Sequence, residues 1–316
     1  MAIFTTKSDP NVTGACVIVF AIFGTIFNCA AIVTFLFSGK LRTKGMYIII
    51  AVISFVQLIH SIFVHPVFAN FYLNISLYDF DNCQILFAAS VTFIVCRAIT
   101  VYCLFLLFVN HLIKQRCPNE SRERNTGIVG TILICVLSAI VIVPVIATQS
   151  TSSCDVFLNY DLHIGMTVLQ YLLPIFLLCV AGIKLIISHA VSRQPRVVVV
   201  QDGLISQRSS TFPTHILVAA FIAVVTTMPW AIWSLMRIRC SVDVDCNRYI
   251  LIREIIVMVS QSMPVFMPFS WLLDNEFRQS FKTMLRRKET QTRNTAPVTA
   301  YSTLPHEPNQ LTYTSL

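Results

Sequence analysis

The sequence is poor in charge. Only 12% of its 316 residues are Asp, Glu, Lys or Arg, whereas soluble domains carry roughly 25%. By contrast, 55% of the residues are hydrophobic, 23 are Phe, and the mean hydropathy is +0.72. A water-soluble globule could not cover so much apolar surface with so few charges. The composition therefore excludes a soluble globule and a disordered chain, and it predicts an integral membrane protein.

Sequence features that are missing argue against several further classes of function. The basic residues behind the +8 net charge are dispersed and form no single stripe, which argues against nucleic-acid binding. The sequence has no His-x-x-Glu-His, Gly-x-Ser-x-Gly or phosphate-loop motif. His60 and His65 are five residues apart, poor spacing for one face of an α-helix, so we interpret them as packing residues. We expect no enzyme activity, no metal site and no cofactor.

Seven apolar runs are long enough to cross a membrane, because a spanning helix needs ~20 mostly apolar residues. The runs do not alternate as the strands of a membrane barrel would. They cover residues 14–37, 46–71, 84–112, 126–147, 164–190, 213–236 and 249–273. The predicted fold class is an all-α membrane protein with a seven-transmembrane helix bundle at 14–273.

The distribution of Lys and Arg orients this bundle. With residues 1–13 outside, seventeen basic residues lie on or beside cytoplasmic segments and four lie outside. Cytoplasmic loops carry such an excess, so the N-terminus is predicted to be extracellular. Glycosylation sequons at Asn11 and Asn74 both fall on outer segments. Residues 1–10 lack the apolar core of a signal peptide, so the first helix is expected to act as its own insertion signal.

Cysteines on the outer segments are candidates for disulfides, since that compartment is oxidising. Cys83 opens the third run, and Cys154 lies in the next outer loop, so we expect a bridge between them. Cys240 and Cys246 share the last outer loop and are candidates for closing a small ring. Cys16 is a competing partner, and the connectivity stays open.

Local motifs carry a family resemblance. Gly24 and Asn28 lie in the first run, Pro174 in the fifth and Pro229 in the sixth. The stretch Met267–Lys282 reads like an NPxxY segment followed by a short amphipathic helix 8 with an F-R-x-x-F pattern. With seven runs and the cysteine arrangement, these features resemble divergent rhodopsin-like (class A) G-protein-coupled receptors of the orphan or virus-encoded type. The resemblance implies helix 8 at 274–288. Residues 289–316 are polar, rich in Thr and Pro and without apolar periodicity, which predicts a disordered cytoplasmic tail.

The resemblance has clear departures. The family's acidic-Arg-aromatic triplet is missing at the foot of helix 3, where Asn110 and His111 stand instead. Ser54 occupies the place of the sodium-binding aspartate. Because two contacts specific to the resting state are lost, we expect appreciable ligand-independent activity.

The resemblance also assigns roles to individual residues. The switch positions it implies are Pro174, Thr227, Pro229, Met267, Pro268 and Trp271, with Thr227 in place of a tryptophan, Met267 in place of an asparagine and Trp271 in place of a tyrosine. The residues implied in coupling to a G protein are Asn110, His111, Lys114 and Arg278. The residues expected to line a ligand pocket are Arg97, Glu254 and Trp230.

Arg97 is the most unusual single residue, since it lies about mid-membrane in the third run. A charge there costs at least ~2.5–3.5 kcal/mol, so it should face the bundle interior. Two interpretations stay open. Arg97 either anchors an anionic ligand group or locks a switch, or it is satisfied by backbone carbonyls, polar side chains and water.

The outer and inner segments suggest partners. Seven aspartates face four cations outside, a pattern that would attract a basic peptide or chemokine-like ligand, although a solvated acidic surface explains it equally well. The tail carries two tyrosine-x-x-bulky motifs, Tyr301 to Leu304 and Tyr313 to Leu316. Such motifs, with several tail Thr and Ser residues, suggest arrestin, a clathrin adaptor or a PDZ protein as partners.

These observations predict a plasma-membrane receptor that signals to heterotrimeric G proteins. One alternative is a ligand-scavenging or trafficking protein with the receptor scaffold but without G-protein output, which the missing arginine and the tail motifs favour. Another is a transporter, which should show inverted repeats and broken helices near the midplane.

The expected bridge between Cys83 and Cys154 gives a first prediction. Loss of a native disulfide typically costs ~2–5 kcal/mol, so Cys83→Ala should retain the protein inside the cell. Surface labelling of intact cells measures this. Normal surface levels would count against both the bridge and the receptor topology.

Overall fold

The computed structural model describes residues 10–73, 81–116, 120–147, 160–192, 213–240 and 250–294. Every regular element in these ranges is helical, so the all-α prediction is confirmed. In chain order the α-helices are α1 (Pro10–Phe37), α2 (Gly39–Arg42), α3 (Gly45–Ile59), α4 (His65–Leu73), α5 (Asp81–Arg116), α6 (Glu120–Ala147), α7 (Tyr160–Thr167), α8 (Leu173–Ser192), α9 (Thr214–Cys240), α10 (Ile250–Gln261), α11 (Met263–Trp271) and α12 (Asn275–Asn294).

The described helices form a multi-pass membrane bundle. Six spans are long and apolar enough to cross a bilayer. The bent pair Ile255–Trp271 and Asn275–Arg286, with 90° between its parts, adds a seventh if it counts as one span. Exactly seven crossings therefore remain a prediction, as does the orientation of the N-terminus.

Burial is inverted relative to a soluble protein. Phe37 and Phe221 are 71% and 69% exposed, whereas Asn28, Gln57 and Arg97 are at most 1% exposed. Such a distribution fits a bundle that is surrounded by lipid and keeps its polar groups between helices. The helix at the centre is α5, which packs against α3, α6, α8 and α9.

Two π-helical turns interrupt α-helices of the bundle, and each ends two residues before a proline. One spans His60–Val64 and precedes Pro66, and the other spans Val168–Leu172 and precedes Pro174. A proline ring clashes with the carbonyl four residues back and offers it no N–H. The wider turn accommodates that clash, and its closing bond runs from the Leu173 N–H to the Val168 carbonyl.

The last apolar run is broken rather than continuous. It consists of α10 and α11, which meet at Ser262, and Pro264 is the second residue of α11. The Val265 N–H bonds the Ser262 carbonyl at 3.0 Å instead of the carbonyl of Gln261. The break therefore leaves two carbonyls, those of Ser260 and Gln261, without helical donors.

Helix α12 follows α11 after a sharp turn. Asp274 caps its start, since Oδ1 accepts the Phe277 N–H at 2.8 Å. Phe277 is buried against the core. The helix ends at Asn294 and so extends past residue 288, where the sequence predicted helix 8 to end and the disordered tail to begin. That this helix lies on a membrane surface stays a prediction.

Helices α3 and α6 approach most closely where two glycines face each other. A Cβ at Gly45 would overlap the carbonyl oxygen of Glu123, and a Cβ at Gly127 would lie 2.8 Å from the Gly45 carbonyl oxygen. Both obstacles are backbone, which cannot rotate away. The contact thus requires residues without side chains at 45 and 127.

This contact predicts that Gly45→Val destabilises the bundle. Overpacking of this kind costs about 1–3 kcal/mol, and the apparent melting temperature of the detergent-solubilised protein should fall. Gly165→Ala in α7 is the control, because a Cβ at that position meets no atom within 4 Å among the described residues. Equal stability of Gly45→Val and the parent protein would contradict the packing described.

Candidate functional site

The guanidinium of Arg97 joins three helices at the centre of the bundle. The side chain belongs to α5 and is 1% exposed. Nη1 donates to the carbonyl of Thr226 in α9 at 2.9 Å, and Nη2 donates to the carbonyl of Ser260 in α10. The guanidinium carbon lies 4.5 Å from the centroid of the Phe93 ring, a favourable cation–π distance. Among the described residues, no carboxylate pairs with Arg97.

A proline provides one of the two carbonyls that Arg97 binds. Pro264 has no N–H, so the Ser260 carbonyl four residues earlier has no helical donor. The other carbonyl, that of Thr226, lies in α9 three residues before Pro229. Of the two interpretations of Arg97, satisfaction by backbone carbonyls accounts for two of its donors. Its Nε has no partner among the described residues.

Asn28 repeats this arrangement one turn further along. Its side-chain amide donates to the carbonyl of Pro264 at 2.8 Å and to the carbonyl of Gly24 at 2.8 Å. The Pro264 carbonyl is available because Pro268, four residues later, lacks an N–H. A polar side chain of α1 therefore closes the second gap in the broken helix.

His60 and His65 meet side by side, so the interpretation that their spacing keeps them apart is wrong. The first π-helical turn lies between them, and a π-helix places residues five apart on one face. Their ring centroids are 4.7 Å apart. Nε2 of His60 lies 2.9 Å from Oε1 of Gln261, and Nε2 of His65 lies 3.0 Å from the Gln261 carbonyl oxygen. Both histidines thus bind the residue at the break.

An aromatic chain connects the histidines to α9. The Phe93 ring contacts His60 edge-on at 5.4 Å between centroids and Trp230 edge-on at 5.6 Å. Trp230 was expected in a pocket with Arg97, and the structure brings both residues to the same phenylalanine. The side chain of Glu254 lies outside the part of the chain whose side chains are described.

Most of the residues expected to act as switches are buried between the helices. Met267 and Trp271 of α11 are fully buried, and Thr227 is buried with no hydrogen-bond partner for Oγ1 among the described residues. Ser54 is also buried. Pro268, Pro229 and Pro174 are the helix-interrupting prolines already described.

A second polar cluster lies where α3, α9 and α12 come together. The Tyr47 hydroxyl donates to Oδ1 of Asp274 at 2.7 Å, and Nδ1 of His215 lies 3.7 Å from Oδ2 of Asp274. Lys44 donates to Glu276 at 2.5 Å. Burial raises the pKa of Glu276, but the hydrogen bond and charge of Lys44 outweigh it, so this pKa lies below its ordinary value.

The residues expected to couple to a G protein divide between a cavity and the surface. Asn110, His111 and Lys114 line a cavity of about 310 Å³ beside this second cluster. Arg278 is exposed and donates to Oδ1 of Asn275 at 2.6 Å. The structure therefore brings three of the four together.

The remaining predictions fall outside what is described, except that for Cys16, which is a free cysteine and forms no disulfide among the described residues. Asn11, Cys83 and Cys240 lie in described helices, but their side chains are not described. The other predicted residues lie outside the described ranges altogether, and they are Asn74, Cys154, Cys246, Tyr301, Leu304, Tyr313 and Leu316. The disulfide, glycosylation and trafficking assignments therefore stay predictions.

The contact between His60 and Gln261 generates a prediction for stability. Gln261→Leu removes the acceptor of His60 but leaves the carbonyl that His65 binds, so unfolding should become easier by about 1–3 kcal/mol. A double-mutant cycle with His60→Leu, followed by thermal unfolding in detergent, isolates the pair. Strictly additive effects would mean that the two side chains do not interact.

Comparison with known proteins adds no family assignment. No protein-family model matches the chain, and no curated protein matches it. What is known of the chain is therefore its structure. It is a multi-pass helical bundle with buried polar side chains around Arg97 and a second polar cluster beside a cavity.

Proposed function

We propose that the chain is a divergent rhodopsin-like receptor of the plasma membrane, with seven spans, an extracellular N-terminus and a heterotrimeric G protein as its cytoplasmic partner. The observation that carries this proposal is the position of Arg97. It ties α5 to α9 and α10 through two backbone carbonyls, and the one in α10, that of Ser260, lies at the helix break. A relative movement of these helices must break or exchange those bonds, so the site can hold two discrete arrangements.

The second polar cluster supplies a candidate restraint on the resting state. The sequence predicted that the resting lock is lost because Asn110 and His111 replace the family triplet. The described residues contain other ion pairs at that end, between Lys114 and Glu123 and between Lys44 and Glu276. We expect ligand-independent activity to be limited by these pairs.

Asn110 gives specific support to the alternative, a scavenging or trafficking protein. It is buried. When its side-chain amide takes the orientation that its neighbours favour, the nitrogen donates to the Glu123 carbonyl at 3.3 Å and the oxygen accepts the Met46 N–H at 3.2 Å. A side chain held in this way connects α5 to α3 and α6 and is not available to a cytoplasmic partner. An extracellular basic peptide or chemokine-like ligand is compatible with both functions.

A basal signalling assay separates the two functions. In cells expressing graded amounts of the chain, second-messenger output without ligand should rise with the surface receptor number. Arg97→Leu should change the output per receptor, because it removes both carbonyl bonds, while surface levels stay near those of the parent. Lys282→Gln, which alters an exposed residue of α12, is the control and should leave the output unchanged.

Absence of basal output would also distinguish the two functions. Output equal to that of empty cells at high surface expression, with every class of G protein tested, would exclude the signalling function and favour scavenging. Uptake of a labelled basic peptide would then be the next measurement.

A further inference from the structure

The cavity beside the second polar cluster is large enough for a small ligand. Its volume of about 310 Å³ is at the lower end of the range for small-molecule sites, roughly 300–1,000 Å³. It lies between the end of α5, the beginnings of α3, α6 and α9, and the turn into α12. Its ionisable lining residues are Lys44, Tyr47, His111, Lys114, Glu123, His215, Asp274 and Glu276.

Most polar groups of the cavity are already engaged. Asp274 Oδ1 accepts both the Tyr47 hydroxyl and the Phe277 N–H. Glu276 is paired with Lys44. The amide of Asn110, in the orientation that its neighbours favour, bonds to the Glu123 carbonyl and the Met46 N–H. These groups shape the walls and leave little capacity for a ligand.

Two buried lining groups retain capacity, and both are acceptors. Oε1 of Glu123 has no hydrogen-bond partner among the described residues, although the side chain is only 6% exposed. Nε2 of His215 is also buried without a described partner. Because Nδ1 of His215 faces Asp274, a neutral ring carrying its proton there presents Nε2 as an acceptor.

The charge of the lining points in the same direction. Three carboxylates line the cavity, those of Glu123, Asp274 and Glu276, against the two ammonium groups of Lys44 and Lys114. With neutral histidines the lining therefore carries one net negative charge. A buried carboxylate oxygen without a donor is costly, and a cation bearing N–H groups would satisfy it.

We propose that this cavity binds a guanidinium or primary ammonium group, with Glu123 as the principal anchor and His215 as a second acceptor. Only the placement of the cavity on the cytoplasmic side rests on the proposed function. The group comes either from a free small cation or from an Arg or Lys side chain of a protein partner, and both have the same chemistry.

Lys114 competes with the ligand for Glu123. Its ammonium lies 3.3 Å from Oε2, and its side chain is 44% exposed. A pair with so exposed a partner is weak, so a bound cation can share or displace it. Because of this competition, loss of the Glu123 charge should weaken ligand binding, and loss of the Lys114 charge should strengthen it. General damage to the fold would not produce these opposite effects.

The test is calorimetric titration of the full chain in phosphatidylcholine nanodiscs with agmatine, which carries a guanidinium and an ammonium group. Saturable one-to-one binding is expected. Glu123→Gln should weaken it by roughly tenfold or more, since a charged hydrogen bond is lost. Lys114→Gln should strengthen it. Glu120→Gln removes the same charge one turn earlier in α6 and should have little effect.

Two further titrants sharpen the test. Tetramethylammonium has the same charge as each cationic group of agmatine but no N–H donor, and it should not bind at comparable concentration. An arginine-containing hexapeptide that binds more tightly than agmatine would assign the site to a protein partner, whereas binding of agmatine alone would assign it to a free cation.

Several results would overturn the proposal. These are the absence of saturable agmatine binding to both the parent and Lys114→Gln, equal binding of tetramethylammonium, or binding that Glu123→Gln leaves unchanged. None of them bears on basal second-messenger output. A silent receptor that binds agmatine, and a signalling receptor that does not, are therefore distinguishable outcomes.

Discussion

The requirement that every backbone carbonyl in a membrane interior finds a donor governs this structure. Lipid supplies no donors, so a carbonyl without its helical N–H must be satisfied by another part of the protein. Pro264 and Pro268 create two such carbonyls in the broken helix, and Arg97 and Asn28 bind them. These two polar side chains are therefore matched to the carbonyls that the prolines leave without helical donors.

The same requirement explains why an arginine is tolerated here without a carboxylate. The cost of placing its charge between helices is offset by carbonyl oxygens, which carry partial negative charge and are fixed in place, and by the face of Phe93. The bonds of Arg97 connect α5 to α9 and α10. Those of His65 and Asn28 attach α4 and α1 to the segment around the break. The two helical turns around the break thus bind side chains from α1, α4 and α5.

Much of the fold could be predicted from sequence, because the runs of apolar residues needed to span lipid are long and unambiguous. The interior position of Arg97 was predictable for the same reason, since a charge inside such a run has few other places to go. The pairing of His60 with His65 was not predicted, because α-helical spacing was assumed throughout. A signal for it existed in Pro66, which follows the π-helical turn just as Pro174 follows the other one.

The second cluster could not be foreseen at all. Tyr47 and Asp274 are separated by 227 positions, and no local periodicity links residues that far apart. The sequence predicted only that Asn110 and His111 stand where the receptors it resembles carry a charged triplet. The two ion pairs at this end, Lys114 with Glu123 and Lys44 with Glu276, depend on how the helix ends converge. A departure from a motif is visible in the local sequence, whereas the contacts that compensate for it depend on the tertiary structure.

The matching of Arg97 to α9 and α10 has a consequence for biogenesis. The ribosome delivers α5 to the translocon well before residues 226 and 260 have been synthesised, so the arginine enters the membrane without either of its carbonyl acceptors. Until those helices arrive, its charge lacks the acceptors that it has in the folded bundle, and a charge at the bilayer centre costs at least ~2.5–3.5 kcal/mol. A chain that ends before α10 would therefore carry an incompletely satisfied charge in its third apolar run.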